Sequence, residues 1–197
     1  MVRIVLTGGP GAGKTAVLEM LRHALCGHSA ILPETASLLF RGGFPRDEAE
    51  SSRCAVQRAI FHVQTEIENV YEARSSLHLL LCDRGTLDSV AYWPRSPESF
   101  WEELRVTREE ELARYDVVIH LRTPTEEEGY HTNGVRTETA AEAAAIDARI
   151  LDAWRGHPRV HVLSPTRHFL EKARRVLAIV AREVPEECKP SARLTAI

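Results

Sequence analysis

No two cysteines stand at C-x-x-C spacing. The four, Cys26, Cys54, Cys82 and Cys188, are widely separated, which argues against a zinc site. Cys82 sits inside an apolar run and is expected as a buried thiol; nothing in the cysteine pattern demands an oxidising compartment. H-E-x-x-H is absent, and the nine histidines are scattered, so none is assigned a role. His78, His120 and His161 fall in strand patterns, as packed core or sheet-edge residues. No apolar run approaches membrane-spanning length, and the chain opens directly on a strand pattern with no room for a signal peptide. A cytoplasmic protein without a membrane partner is expected. Charge is nearly balanced, with a formal net charge of -3, which gives no electrostatic case for a nucleic-acid partner. The acidic runs Glu109-Glu110-Glu111 and Glu126-Glu127-Glu128 are expected as solvated faces. Repeats, linkers and low-complexity segments are also missing. One domain over residues 1–184 is expected, followed by a patternless tail over 185–197.

What is present begins at the second residue. Val2-Arg3-Ile4-Val5-Leu6 has the apolar, β-branched character of a buried parallel strand. Gly8-Gly9-Pro10-Gly11-Ala12-Gly13-Lys14-Thr15 follows and satisfies G-x-x-x-x-G-K-[ST]. Val17, Leu18, Leu21 and Leu25 then recur at helical spacing. Strand, glycine loop and helix are the parts of a phosphate-binding loop. Backbone N–H groups turn inward toward an anion, where side chains would block the approach, and the helix aims its positive end at the same place. Nucleotide contacts are expected from Gly9, Gly11, Ala12, Gly13, Lys14, Thr15 and Ala16. Lys14 would reach the β- and γ-phosphates of ATP, and the Thr15 hydroxyl would bind Mg²⁺.

Strand and helix patterns alternate along the rest of the chain. The first helix is expected over 14–26, a second strand over 30–32, a short helix over 35–41 and a long amphipathic helix over 47–74. A third strand over 77–82 ends in Asp83-Arg84-Gly85. A short helix over 86–93, two more between Pro97 and Arg114, and a fourth strand over 116–121 follow. A polar, glycine-containing loop over 123–137 separates that strand from an alanine-rich helix over 138–154. A fifth strand over 159–163 and a last helix running to about Arg182 complete the pattern. It predicts an α/β sandwich of three layers, a parallel sheet with helices on both faces.

Several residues at the carboxyl ends of these strands can do chemistry. Asp83 stands at a Walker-B-like position, apolar strand then acid, where open α/β sheets bind ligands. It could hold Mg²⁺ or act on an acceptor. Arg84 could clamp a phosphate with its planar fork. Glu34 could take the proton from an attacking hydroxyl, or could be an acid at a helix N-terminus. Arg122 and Arg136 bracket the polar loop; Arg136, beside Gly134 and Thr137, is the favoured one to close over a transferring phosphoryl group. Arg53, Arg58 and Gln64 on the long helix are candidate acceptor contacts. Tyr92 and Trp93 could line the acceptor site, whereas Phe40 and Phe44 are expected in the core.

With these pieces placed, the chain resembles the small P-loop kinases of nucleosides and nucleotides. Within that superfamily it is similar to bacterial AAA-type ATPase domains related to ribosylnicotinamide kinase. The resemblance spans about residues 2–181. It rests on GGPGAGKT, LPETASLLF, the long helix with Gln64, DRGTLDSVAYWP, NGVRTET and SPTRHFLEKARRVL. It implies a P-loop NTPase sheet in the order 2-3-1-4-5, with ATP over the phosphate loop and a lid after strand 4 carrying Arg136. Thr166 and Arg167 would lie near the adenine, and Glu34, Gln64, Asp83, Arg84 and Asp88 would face the acceptor. The sequence departs from the pattern at Asn133, before Gly134, where an acid is expected. The implied activity is ATP-dependent phosphoryl transfer to a small hydroxylated acceptor. The competing expectation is an ATPase or GTPase switch acting on a protein partner; the absence of N-K-x-D weighs against GTP. Oligomeric state stays open.

Overall fold

Five strands form one parallel sheet: β1 (Val2–Thr7), β2 (Ser29–Leu32), β3 (Leu79–Asp83), β4 (Val117–Leu121) and β5 (Val160–Leu163). Their order is β2-β3-β1-β4-β5, the order that the resemblance implied. The computed structural model describes residues 1–125, 139–166 and 169–188. Every residue of β3 and β4 is buried, as are the last five of β1. Strands covered on both faces need apolar side chains at consecutive positions, which is why these segments do not alternate.

Helices cover both faces. On one lie α1 (Lys14–Ala24) and α8 (Phe169–Glu183), whose Val17, Leu18, Leu21, Val176 and Val180 pack against Ile4, Leu6, Leu79, Leu81 and Ile119. On the other, Val5, Leu80, Cys82 and Val118 meet Leu87, Ala91, Ile150 and Trp154 from α4 (Asp88–Tyr92), its approach, and α7 (Ala140–Ala153) with its C-cap. The long helix α3 (Glu50–Glu72) joins α5 (Pro97–Leu104) through Phe61, Phe100 and Trp93. The short α2 (Thr35–Arg41) follows β2, and α6 (Arg108–Ala113) precedes β4.

Expected and observed elements agree in type and differ by a few residues at their ends. Asp83 is the last residue of β3 rather than the first beyond it. Helix α7 starts at Ala140 because Thr139 and Glu142 form a reciprocal capping box there. Two local expectations are corrected, and the cysteines divide. Glu111 is not on a solvated face: it is buried and accepts a hydrogen bond from Thr86 Oγ1 at 2.6 Å. Phe40 and Phe44 are half-buried rather than core, and the Arg46 guanidinium lies over the Phe40 ring at 4.2 Å. Cys26 and Cys188 form a disulfide, whereas Cys54 and Cys82 are free and buried.

That bond reaches into the segment expected as a tail. Glu186–Cys188 form a 3-10 turn, and Cys188 is fully buried; residues 189–197 lie outside the described residues. The crosslink spans a sequence separation of 162, so it removes much freedom from the unfolded chain. Reduction is expected to lower the unfolding free energy by about 2–4 kcal/mol, measured by denaturant titration with and without reductant. An unchanged midpoint would contradict this.

Candidate functional site

Register brings the site together. In the parallel ladder Leu6 stands beside Asp83 and Thr7 beside His120. Thr7, Asp83 and His120 therefore share the carboxyl edge of the sheet where β1 turns into the glycine loop. Gly8 is at φ +136 with its Cα against β4: an added Cβ would lie 2.0 Å from the Leu121 carbonyl oxygen. No other residue fits there. At Gly13, φ +88, an added Cβ would meet nothing within 4 Å. Its backbone conformation, and not its space, selects glycine.

Lys14 opens α1 and curls back over the loop. Its Nζ donates to the carbonyls of Gly8 at 2.8 Å and Gly9 at 3.0 Å. Burial, aided by the Arg84 charge, brings its ammonium down to about 7, while Asp83, Glu34 and Asp88 pull the other way. Thr15 and Ala16 are exposed on the first turn of α1, so the Thr15 hydroxyl is open to a ligand. Asp83 is buried, and burial pushes its carboxyl up to about 6 against the pull of Lys14. Among the described residues no hydrogen bond ties its oxygens down.

Arg84 follows at φ +74, a left-handed conformation that is costly for a long side chain. Neighbours hold it there. Its N–H donates to Leu6 O, and its carbonyl accepts from Gln64 Nε2 at 3.2 Å. Gln64 is itself fixed by Thr35 Oγ1 and the buried Glu68 carboxylate. Glu68 in turn holds Arg3, Arg114 and the Tyr115 hydroxyl. Gly85 comes next because a Cβ there would strike the Trp154 ring at 2.7 Å.

The Arg84 guanidinium sits at the centre of the site. Its Nε donates to Glu34 Oε1 at 2.7 Å; its Nη1 donates to Asp88 Oδ2 at 3.2 Å and faces the Gly8 carbonyl at 3.4 Å. Burial disfavours its charge, but Tyr92, Asp88 and Glu34 outweigh that and hold it well above the usual value. Burial pushes the Glu34 carboxyl up; Arg84 and Ser37 more than offset this and keep it below the ordinary value. Asp88 is buried among three donors, Thr7 Oγ1 at 2.6 Å, Trp154 Nε1 at 2.7 Å and Arg84. Of the pair, Glu34 is the carboxylate that remains half-buried.

Arg53 is exposed on α3, and Arg58 pairs with Glu103. Thr166 is half-buried after β5. Arg136 and Arg167, with Asn133 and Gly134, lie outside the described residues. Arg122 pairs with Asp147 at 2.7 Å.

Asp147 was not expected. It lies on α7 and is almost fully buried, yet its Oδ1 accepts the Gly9 N–H at 2.9 Å and faces His120 Nε2 at 2.9 Å. Burial raises its carboxyl, but these partners and Arg122 outweigh that and hold it below the ordinary value. One carboxylate thus joins the phosphate loop, β4 and α7. Lys172 of α8 does similar work from the opposite face, donating to Ala12 O at 2.9 Å. Thr123 Oγ1 donates to Pro10 O at 3.0 Å. Asp147 and Thr123 stand in no motif, and Lys172 lies within SPTRHFLEKARRVL without a role having been expected for it. Replacing Asp147 by alanine leaves His120 and Arg122 without their carboxylate and frees a buried N–H. A loss of about 3 kcal/mol in stability is expected, read by chemical denaturation. A loss under about 0.5 kcal/mol would show the network to be idle.

A separate recess of about 760 Å³ runs between α7 and β5, lined by Leu151, Trp154, Arg155 and Val162 among others. Arg122 and Trp154 line it as well as taking part in the site.

A family model described as an AAA domain matches residues 3–172. The curated proteins contain no match. Among solved structures, thymidylate kinase from Candida albicans superposes with a TM-score of 0.65 at 13% identity, covering 91% of this chain and 90% of that one. Deoxyadenosine kinase from M. mycoides, solved with bound dATP, gives 0.57 at 11% identity, covering 91% and 99%. At these identities the likeness establishes a shared fold. With the family model spanning most of its length, the chain belongs to the AAA domain family, built on the α/β P-loop fold that these two kinases share.

Proposed function

We propose that the chain is an ATP-dependent kinase that moves the γ-phosphoryl group to a small hydroxylated acceptor of the nucleoside or nucleotide class. The observation that carries this is the placement of Arg84. A single guanidinium reaches from the Gly8 carbonyl of the phosphate loop to Glu34, a carboxylate on the accessible side. Phosphate clamp and proton acceptor are thereby set against each other beside the loop. A nucleotide switch needs no such pair.

The residues present fit Mg²⁺ and a triphosphate. Positive φ at Gly11 and Gly13 gives the loop the left-handed turns from which anion-binding nests are built, and Lys14 lies curled on its carbonyls. Thr15 is exposed, and Asp83 offers oxygens with no fixed donor among the described residues. Thr15 and Asp83 would hold Mg²⁺, which would neutralise charge on the phosphates. Lys14 would leave the Gly8 and Gly9 carbonyls for phosphate oxygens. Arg84 would stabilise charge developing on the transferred group. Glu34, held ionised by Arg84, would orient the acceptor hydroxyl and take its proton. Gln64 and Asp88 act through Arg84: one fixes its backbone, the other its guanidinium. Arg136 and Arg167 remain proposed contacts of the phosphates and the adenine, and Arg53 of the acceptor.

Acceptor dependence tests the proposal. ATP turnover by the full chain should be slow alone and should rise at least about 100-fold with one member of a panel of nucleosides and nucleotides, with phosphate found on that metabolite. Turnover that responds only to a protein partner would reverse the reading.

The two shifted groups predict a pH profile. In the free protein Lys14 is partly neutral above about pH 7. A polyphosphate favours its charged form, so binding takes up a proton, and affinity should fall by up to about tenfold per pH unit above 7. Below about pH 6 Asp83 protonates and its hold on the metal is lost. MgATP affinity should peak between these values. Calorimetry in buffers of different ionisation enthalpy measures the uptake directly; no uptake at pH 8 would contradict the Lys14 assignment.

A further inference from the structure

The disulfide lies within a larger cluster at the opposite end of α1 from the phosphate loop. Cys26 follows α1, His28 comes two residues later before β2, and Cys188 ends the 3-10 turn after α8. The ligand atoms of all three lie within 4.8 Å of one another. Cys188 is buried, Cys26 half-buried and His28 exposed. The His78 ring stands edge-on to His28 with centroids 5.3 Å apart, and the His78 backbone N–H donates to the His28 carbonyl at 2.8 Å. The phosphate-transfer machinery uses none of these residues.

Two thiolates and an imidazole are the ligand set that zinc selects over hard cations. Tetrahedral zinc, with bonds of about 2.3 Å to sulfur and 2.0–2.1 Å to nitrogen, places its ligand atoms roughly 3.3–3.8 Å apart. The cluster is already gathered to nearly that size by two backbone segments far apart in sequence. Such gathering is not a by-product of disulfide formation, because the disulfide does not require a histidine.

We propose that the reduced protein binds one Zn²⁺ through Cys26, His28 and Cys188, with His78 or water in the fourth position, and that oxidation to the Cys26–Cys188 disulfide expels it. The oxidant is a low-molecular-weight disulfide. The Cys26 thiolate, which is the half-buried one, attacks it, and one small thiolate leaves. The Cys188 thiolate then displaces the second, closing the protein bond. Two electrons pass from the protein sulfurs to the small disulfide. Two small thiolates and free Zn²⁺ are the products, and the imidazole returns to solvent neutral. Metal and disulfide are alternative staples of the same two segments.

The full chain, reduced by a phosphine and freed of it without oxygen or nucleotide, is titrated with Zn²⁺ against a chromophoric chelator. One equivalent with a Kd below about 1 μM is expected. Co²⁺ in its place should show thiolate-to-metal charge-transfer absorption. Oxidised glutathione should release the zinc stoichiometrically, and the oxidised chain should bind at least about 100-fold more weakly. Cys188→Ser should lose binding by a similar factor. His28→Ala, at an exposed position that leaves folding intact, should weaken it by about 10–100-fold. Zinc should also restore part of the thermal stability lost on reduction. No binding to the reduced chain, no charge-transfer band, equal binding by the oxidised chain, or undiminished binding by His28→Ala would each overturn the proposal. MgATP binding, measured beside it, keeps this outcome separate from the fate of the kinase reading.

Discussion

Replacing Lys14 by alanine should lower ATP turnover by about 10³-fold or more, some 4 kcal/mol in the barrier. The lysine's ammonium is poised on the loop's own Gly8 and Gly9 carbonyls. It sits where a phosphate would draw it away, and its charge is already destabilised by burial. That last point separates activity from stability. A group whose charged form is disfavoured in the folded protein contributes little to holding the fold, so the melting temperature of Lys14→Ala should stay within a few degrees of the unaltered chain. Single-turnover assays and thermal melts on the same preparation check both halves. Retained turnover in a folded variant would remove the phosphate loop from the chemistry.

Arg84→Ala should show the opposite coupling. Turnover is expected to drop about 10³-fold, and stability by about 3 kcal/mol, because Glu34 and the buried Asp88 both lose their cation. Arg84→Lys is the sharper variant. A lysine can repair the charge, but one ammonium cannot face Glu34, Asp88 and the Gly8 carbonyl in the geometry of a fork. It should recover most of the stability and no more than about a tenth of the turnover. If lysine restored full turnover, Arg84 would be serving only as a charge. If Arg84→Ala left acceptor phosphorylation intact, the proposed clamp would be wrong even though the fold is right.

Both predictions concern residues that local pattern made visible. Glycine spacing followed by a lysine announces the loop, and an acid closing an apolar run announces the sheet edge where Asp83 lies. The strand order followed from resemblance and was met by the sheet. What holds the loop in place was not legible in the same way. Asp147 is one aspartate in an alanine-rich helix, and only packing against β4 brings it to Gly9. Lys172 lies on a helix far along the chain, and only the layer that α8 shares with α1 brings it to Ala12. Trp154 looks like any core aromatic until its indole N–H is found on Asp88. Cys26 and Cys188 carry no short-range spacing signal, because their partnership is a property of two helices lying side by side. Local sequence encodes local geometry; contacts between layers depend on the closed fold.

The central claim is that the glycine loop of residues 8–15 captures a nucleoside triphosphate with its magnesium. Isothermal titration of MgATP into the full chain at pH 6.5 tests it most directly. The account predicts one site, loss of affinity when Mg²⁺ is chelated, and loss of binding in Lys14→Ala. Absence of heat with both MgATP and MgGTP, from a chain shown to be folded, would contradict it.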